Sequence, residues 1–389
     1  MFSTRAPGDL TPNRHALLLA ELRAQGVAIT DLTLSNPTDA GLEYAPDLLV
    51  PLADPAALRY EPAPLGMPAA REAAASEYAR RGVTVPADRI ALTASTSEAY
   101  SLLFKLLCDP GDEVLVPVPS YPLFEHLTAL DAVRPVSYPI EYHGRWSLNL
   151  DALERAVTPR TRAVLVVSPN NPTGSFLTGP ELDAVSALCA RRQVALIGDE
   201  VFADYVFDGR DRGPSVVQQD AALAFSLGGL SKAAGLPQVK LGWMAVAGPS
   251  ALVTEAIARL ELICDTYLSV STPVQRAAPA LLQRAPRIRE RIQRRTIGNR
   301  AALAQLVAMA SDIEVLEADG GWYAVVRVPA TVPEEQLALE LLRTDHVLVH
   351  PGYFFDFPHE AFVVLSLLSR PDDFSLGVRR LVARATVAL

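Results

Sequence analysis

Short, almost uninterrupted apolar runs alternate along much of the chain with longer stretches of helical period. The runs are RIALTAS (89–95), EVLVPVPS (113–120), RAVLVVSPN (162–170), QVALIGDE (193–200), LAFSLGGL (223–230) and GWMAVAG (242–248). A strand that is apolar on both sides of its pleat is one covered on both faces, the condition of a mostly parallel sheet. Between the runs, GMPAAREAAASEYARR (66–81), TSEAYSLLFKLLC (96–108) and GPELDAVSALCARR (179–192) read as helices. Alternation of this kind predicts a large doubly wound α/β domain over 46–273.

The pattern changes near Pro273. An Arg-rich helical stretch over about 274–310 leads out of the sheet, and EVLEADGGWYAVVRVP, a helix around 333–343, HVLVHPGYFF, FVVLSLL and a last helix from about 371 follow. These predict a smaller α+β domain made of 274–389, with the N-terminal segment 1–45 packed on it. Internal repeats and low-complexity segments are absent from the sequence.

Composition narrows the function classes. With 389 residues, half of them hydrophobic, the chain can bury a sizeable core. The formal net charge is −9 with no long block of one sign, which argues against a nucleic-acid partner. Cys108, Cys189 and Cys264 are far apart, odd in number and set in apolar surroundings, as expected of reduced thiols. Cys/His clusters with metal spacing are absent, so no metal is expected. MFSTRAPGDLTPN lacks the apolar stretch of a signal peptide, and no apolar run reaches the ~18 residues of a membrane span. The expectation is a soluble, cytoplasmic protein without a membrane partner.

Candidate chemistry concentrates at the ends of the apolar runs, where a doubly wound sheet opens its ligand crevice. Lys232 follows LAFSLGGL among small residues, a place where burial would lower an amine's pKa and make it a nucleophile or Schiff-base former. SPNNPTG (168–174) closes another run with a rigid turn able to aim an amide. VALIG ends in Asp199-Glu200, a carboxylate that either caps a helix or works in the crevice.

Taken in order, these segments resemble the class I/II aminotransferases, fold-type I enzymes that depend on pyridoxal 5′-phosphate. Asn171 precedes Asp199 by 28 residues and Asp199 precedes Lys232 by 33, with YEPAPLGMPAAREA (60–73), TASTSEA (93–99), PSYPLF (119–124) and HPGYFF (350–355) in place around them. The resemblance covers essentially the whole chain. It implies a homodimer that moves an amino group between an amino acid and a 2-oxo acid by a ping-pong cycle. It leaves a carbon–sulfur lyase or another reaction on the same cofactor as an alternative. Because Lys232 and Asp199 are both present, a non-catalytic regulator on this fold is disfavoured.

The resemblance also implies residue roles. Lys232 would hold the cofactor through a Schiff base and later act as the base at the substrate's Cα. Asp199 would keep the pyridine nitrogen protonated, Asn171 would donate to the phenolic oxygen, and Tyr121 would stack on the ring. Ser95, Thr96, Ser97 and Ser231 would bind the phosphate, the first three at a helix start. Tyr60 resembles the tyrosine that reaches the neighbouring subunit's phosphate. Lys240, eight residues after Lys232, stands where the family usually has a phosphate-binding arginine. A lysine keeps the charge and loses the bidentate fork.

Three further departures stand out. Phe202 occupies the place of a tyrosine that donates to the phenolic oxygen, with Tyr205 the nearest other hydroxyl. Gly229 replaces a phosphate-binding serine, for which Ser231 or Ser226 is the expected substitute. The arginine that usually grips the substrate's α-carboxylate falls on Val364 in FVVLSLLSR. Arg370, six residues on, and Arg327, in the neighbouring segment WYAVVRV, are the other arginines considered, and both read as surface charges. His350 reads as structural, and Tyr353, Phe354, Phe355 and Phe357 as core and crevice wall.

Overall fold

The computed structural model describes residues 1–387. The first part of the chain builds α1 (Arg14–Ala24), β1 (Thr30–Asp31), α2 (Pro68–Arg80), β2 (Ile90–Thr93), α3 (Thr96–Leu107), β3 (Glu113–Val118), α4 (Phe124–Leu130), β4 (Arg134–Tyr142), β5 (Trp146–Leu148) and α5 (Leu150–Ala156). Next come β6 (Thr161–Val167), α6 (Gly179–Arg192), β7 (Ala195–Asp199), β8 (Ala224–Gly229), α7 (Leu230–Ala233), β9 (Gly242–Ala247), α8 (Ser250–Tyr267) and α9 (Thr272–Val307). The last elements are β10 (Glu314–Val315), β11 (Tyr323–Arg327), α10 (Glu334–Thr344), β12 (Val347–Leu348), β13 (His350–Pro351), β14 (Phe362–Ser366) and α11 (Pro371–Val387).

Eight strands form one sheet in the order β2-β9-β8-β7-β6-β3-β4-β5. The five strands from β8 to β4 are mutually parallel, β9 runs against both of its neighbours, and β5 turns back on β4. The apolar runs are buried on both faces, as their composition requires. In β7, Leu196 enters the core with Tyr78, Tyr138 and Trp243, while Ala195 and Ile197 enter the core with Tyr100, Phe104 and Phe225. All six runs became strands. The hairpin β4–β5 has no counterpart in the sequence reading. It lies at the sheet's edge and is half exposed, and Pro135 and Pro139 interrupt the apolar signal there.

A four-stranded sheet, β10-β11-β14-β13, forms from the C-terminal part of the chain, and β1 pairs with β12 in a small ribbon. Leu32, Val326, Leu341, Phe374 and Leu381 share the core beneath it. From α1, Leu18 and Leu22 pack on Leu339 and Leu342 of α10. The 36-residue helix α9 packs against both α2 and α11, and so links the two sheets.

Candidate active site

The C-terminal ends of β3, β6, β7 and β8 open into one cavity of about 460 Å³. This is where a doubly wound sheet places ligands, and the size suits a small molecule. Tyr121 enters after β3, Asn171 after β6, Asp199 at the end of β7, and Ser231 and Lys232 after β8. The N-terminus of α3 brings Ser95, Thr96 and Ser97, and Lys240 follows from the turn before β9. The opposite wall holds Ser35 together with Tyr323, His350, Phe354 and Phe355.

Lys232 ends β8's approach to the cavity on the short helix α7. Its Nζ lies 4.7 Å from the ring centroid of Trp322 and 5.4 Å from that of Phe202. Burial pushes its pKa from 10.5 down to about 8, against the opposing attraction of Asp199. Its backbone is fixed from behind. Tyr205, fully buried, donates its hydroxyl to the Lys232 carbonyl at 2.6 Å. Arg289 of α9 donates to the Ala233 carbonyl at 3.0 Å and pairs with Glu77 and Asp204 at 2.6 and 3.1 Å. Tyr205 is therefore committed away from the cavity. Phe202, packed on Trp322 at 5.2 Å, meets the amine with a hydrocarbon face.

Asp199 is buried, and burial raises its pKa. Tyr100 opposes that rise by donating to Oδ2 at 2.8 Å, and the Val201 amide donates to Oδ1 at 3.2 Å. The sequence reading missed Tyr100. Its position four residues after Thr96, on the same face of α3, was the available signal. Tyr323, Trp322 and Arg289 were also missed.

Three residues expected together at a helix start do lie there, with different tasks. Ser95 is the N-cap of α3, and its hydroxyl accepts from the Glu98 amide at 3.1 Å, so that oxygen already serves the helix. Thr96 and Ser97 open the helix with its first amides free of intrahelical partners. Gly242 lets β9 come close. A Cβ at that position would stand 2.9 Å from the Ser95 carbonyl carbon and 3.1 Å from the Thr96 amide. Of the two substitutes for the missing serine, Ser231 lines the cavity. Ser226 does not, because it is fully buried on the far side, with Tyr78 donating to its Oγ at 3.0 Å. Lys240 is exposed, with φ 61° and ψ 60°, and faces the same cavity.

Asn171 and Tyr121 also line the cavity. The Oδ1 of Asn171 is buried and has no partner among the described residues. Tyr121 is partly exposed and meets Phe124 edge-on at 5.8 Å. Tyr60 lies outside the cavity, 62% exposed. Val364 is fully buried, so no cation stands at that position of β14. Arg327 is exposed and pairs with Glu314; Arg370 is exposed and lies against Gly41. Neither lines the cavity.

The family model described as "Aminotransferase class I and II" matches residues 35–369. The sequence is similar to the alanine aminotransferase of Mycobacterium tuberculosis (strain ATCC 25618 / H37Rv), 28% identical over 377 residues that cover 93% of this chain and 86% of the relative. It is also similar to the glutamate–pyruvate aminotransferase AlaA of Escherichia coli (strain K12), 25% identical over 368 residues covering 92% and 91%. In three dimensions it resembles the alanine aminotransferase from Pyrococcus furiosus, with a TM-score of 0.89 over 100% of both chains at 23% identity, a likeness of fold.

Proposed function

The chain belongs to the class I and II aminotransferase family, enzymes that move an amino group between an amino acid and a 2-oxo acid, and on that premise we propose that it does so on pyridoxal 5′-phosphate held at Lys232. One observation carries the reading. A lysine amine whose pKa is pushed down to about 8 shares one cavity with a buried carboxylate and with an asparagine whose side-chain oxygen has no partner among the described residues. These groups fit that cofactor. The Asn171 side chain has no hydrogen bond among the described residues, so its Nδ2 amide could donate to the ring oxygen, Asp199 could meet the ring nitrogen, and the α3 N-terminus with Ser231 and Lys240 could meet the phosphate. Tyr121 supplies a face for the ring.

When bound, the cofactor supplies an aldehyde carbon that condenses with amines and a protonated ring that draws electrons from the substrate's Cα. The chain's own residues do the rest. Near pH 8 a large fraction of Lys232 is unprotonated, so Nζ could attack a carbonyl carbon and would later take the proton from the substrate's Cα and deliver it to the carbon the cofactor supplies. Asp199, oriented by Tyr100, offers a fixed acceptor and a negative charge. Trp322 and Phe202 keep water from the amine.

The reading includes a homodimer, with Tyr60 reaching the partner subunit's phosphate, and a division of the chain into 46–273 and 1–45 with 274–389. It includes a cytoplasmic setting; among the described residues no helix is long and apolar enough to cross a membrane.

The test mixes the holoenzyme with single amino acids in the absence of a 2-oxo acid. The matching donor is expected to yield its 2-oxo acid once per subunit, and continuously when an acceptor is added. Lys232→Ala should do neither. Continuous release of ammonia without an acceptor would overturn the reading in favour of a lyase.

A further inference from the structure

An amino-acid substrate brings a carboxylate bonded to its reacting carbon, and an anion taken out of water against a largely buried wall needs a partner. At 364, on β14, that partner is missing: Val364 is fully buried beside Val325. Three side chains lining the cavity can carry positive charge, namely Lys232, Lys240 and His350. Lys232 occupies the reacting end. Lys240 approaches from the turn before β9, the strand whose first residue lies against the serine-rich start of α3. His350 remains, on the four-stranded sheet.

Its place in that sheet is specific. His350 on β13 is directly opposite Val364 on the antiparallel β14. Directly opposed residues point to one face with Cβ atoms about 4.5–5.5 Å apart. A side chain at 350 therefore covers the ground that one at 364 would reach. The ring is held between Phe354 and Phe355, with centroids 5.8 and 5.6 Å away. Its Nδ1 is buried with no partner among the described residues. Asp31 and His15 are the other titratable groups that act on it. Asp31 is occupied by the amide and hydroxyl of Thr33 at 2.7 and 2.6 Å. His15 sits across Phe354, its centroid 5.9 Å from that ring. Burial pulls the His350 pKa down to about 4, so its imidazole is neutral near pH 7. A carboxylate brought beside it either accepts its N–H or draws a proton onto the ring, and both are attractive.

We propose that His350 receives the substrate's α-carboxylate from β13, in place of an arginine on β14. The proposal rests on the aminotransferase reading of this cavity. An imidazole offers one hydrogen bond where guanidinium offers a fork, so the carboxylate is held in a single-point contact. It also makes His350, and not Arg327 or Arg370, the residue that separates amino acids from plain amines.

The experiment titrates the visible absorbance of the holoenzyme with 2-methylalanine and with isopropylamine. The two differ only by the carboxylate, and neither needs to turn over. The wild type is expected to bind 2-methylalanine at least about tenfold more tightly. His350→Ala should weaken 2-methylalanine to within about twofold of isopropylamine while leaving isopropylamine unchanged, which also reports an intact fold. His350→Arg should restore the preference. A His350→Ala enzyme that keeps the wild-type ratio overturns the proposal. So does a wild type that binds both equally, or a parallel loss of both ligands in His350→Ala. The aminotransferase reading is separable, because it depends on 2-oxo acid formed from a donor, which this titration does not measure.

Discussion

The Tyr100 hydroxyl donates to Oδ2 of Asp199 at 2.8 Å, joining the second turn of α3 to the end of β7. Burial alone would push the carboxyl toward its neutral form, and this bond works against that. Hydrogen bonds to charged groups contribute about 1.5–3 kcal/mol. Tyr100→Phe should therefore cost about tenfold to a hundredfold in kcat, with a smaller change in cofactor affinity. Asp199→Asn, which removes the charge itself, should cost ~10³-fold or more. Steady-state kinetics on a matched donor checks both, and near wild-type turnover in Tyr100→Phe would remove its role in orienting Asp199.

Burying the Lys232 ammonium should make the cofactor-free protein less stable at neutral pH. Its folded pKa of about 8 lies below the unfolded 10.5, so between those values the unfolded state binds more protons and stability rises with pH. Below about 8 both states are charged and the burial cost is fully present. Lys232→Met should therefore stabilise the cofactor-free protein at pH 7 by about 3 kcal/mol. The gap should close as pH rises through the window from about 8 to 10.5. Urea denaturation at the two ends of that window measures it. A gap that widened with pH would mean that the amine is not desolvated.

Lys240 faces the cavity from an exposed position, so its charge is partly screened by water and salt. Lys240→Ala should raise the dissociation constant of pyridoxal phosphate by about tenfold, corresponding to ~1.4 kcal/mol. Lys240→Arg should hold or tighten it, and added salt should shrink the difference between lysine and alanine. Equilibrium titration of the cofactor-free protein is the measurement. Equal affinity in all three proteins would make Lys240 a bystander.

Much of this protein is legible in its sequence. The six apolar runs are strands because a strand covered on both faces leaves no polar positions, and that signature is local. Ser95 before TSEAYSLL marks the start of α3 because capping needs only a side chain and an amide three residues on. The motif spacing carried Asn171, Asp199 and Lys232 into one cavity, since strand ends in a doubly wound sheet converge wherever the chain returns to them.

Tertiary packing alone decided the partnerships. Tyr100 and Asp199 are 99 residues apart, and their bond depends on how α3 settles on β8 and β9. Helical period can place Tyr100 on a face but does not name what that face meets. By sequence, Ser231 is expected at the phosphate, with Ser226 an alternative substitute for the missing serine. The pleat of β8 sent one into the core against Tyr78, and the turn beyond the strand left the other in the cavity. Tyr205 points behind Lys232 for the same kind of reason. His350 became a neighbour of Val364 only through the register of two short antiparallel strands. A contact between distant segments depends on the relative position of whole elements, and local patterning is silent about that because it records which side of an element is buried and not what covers it.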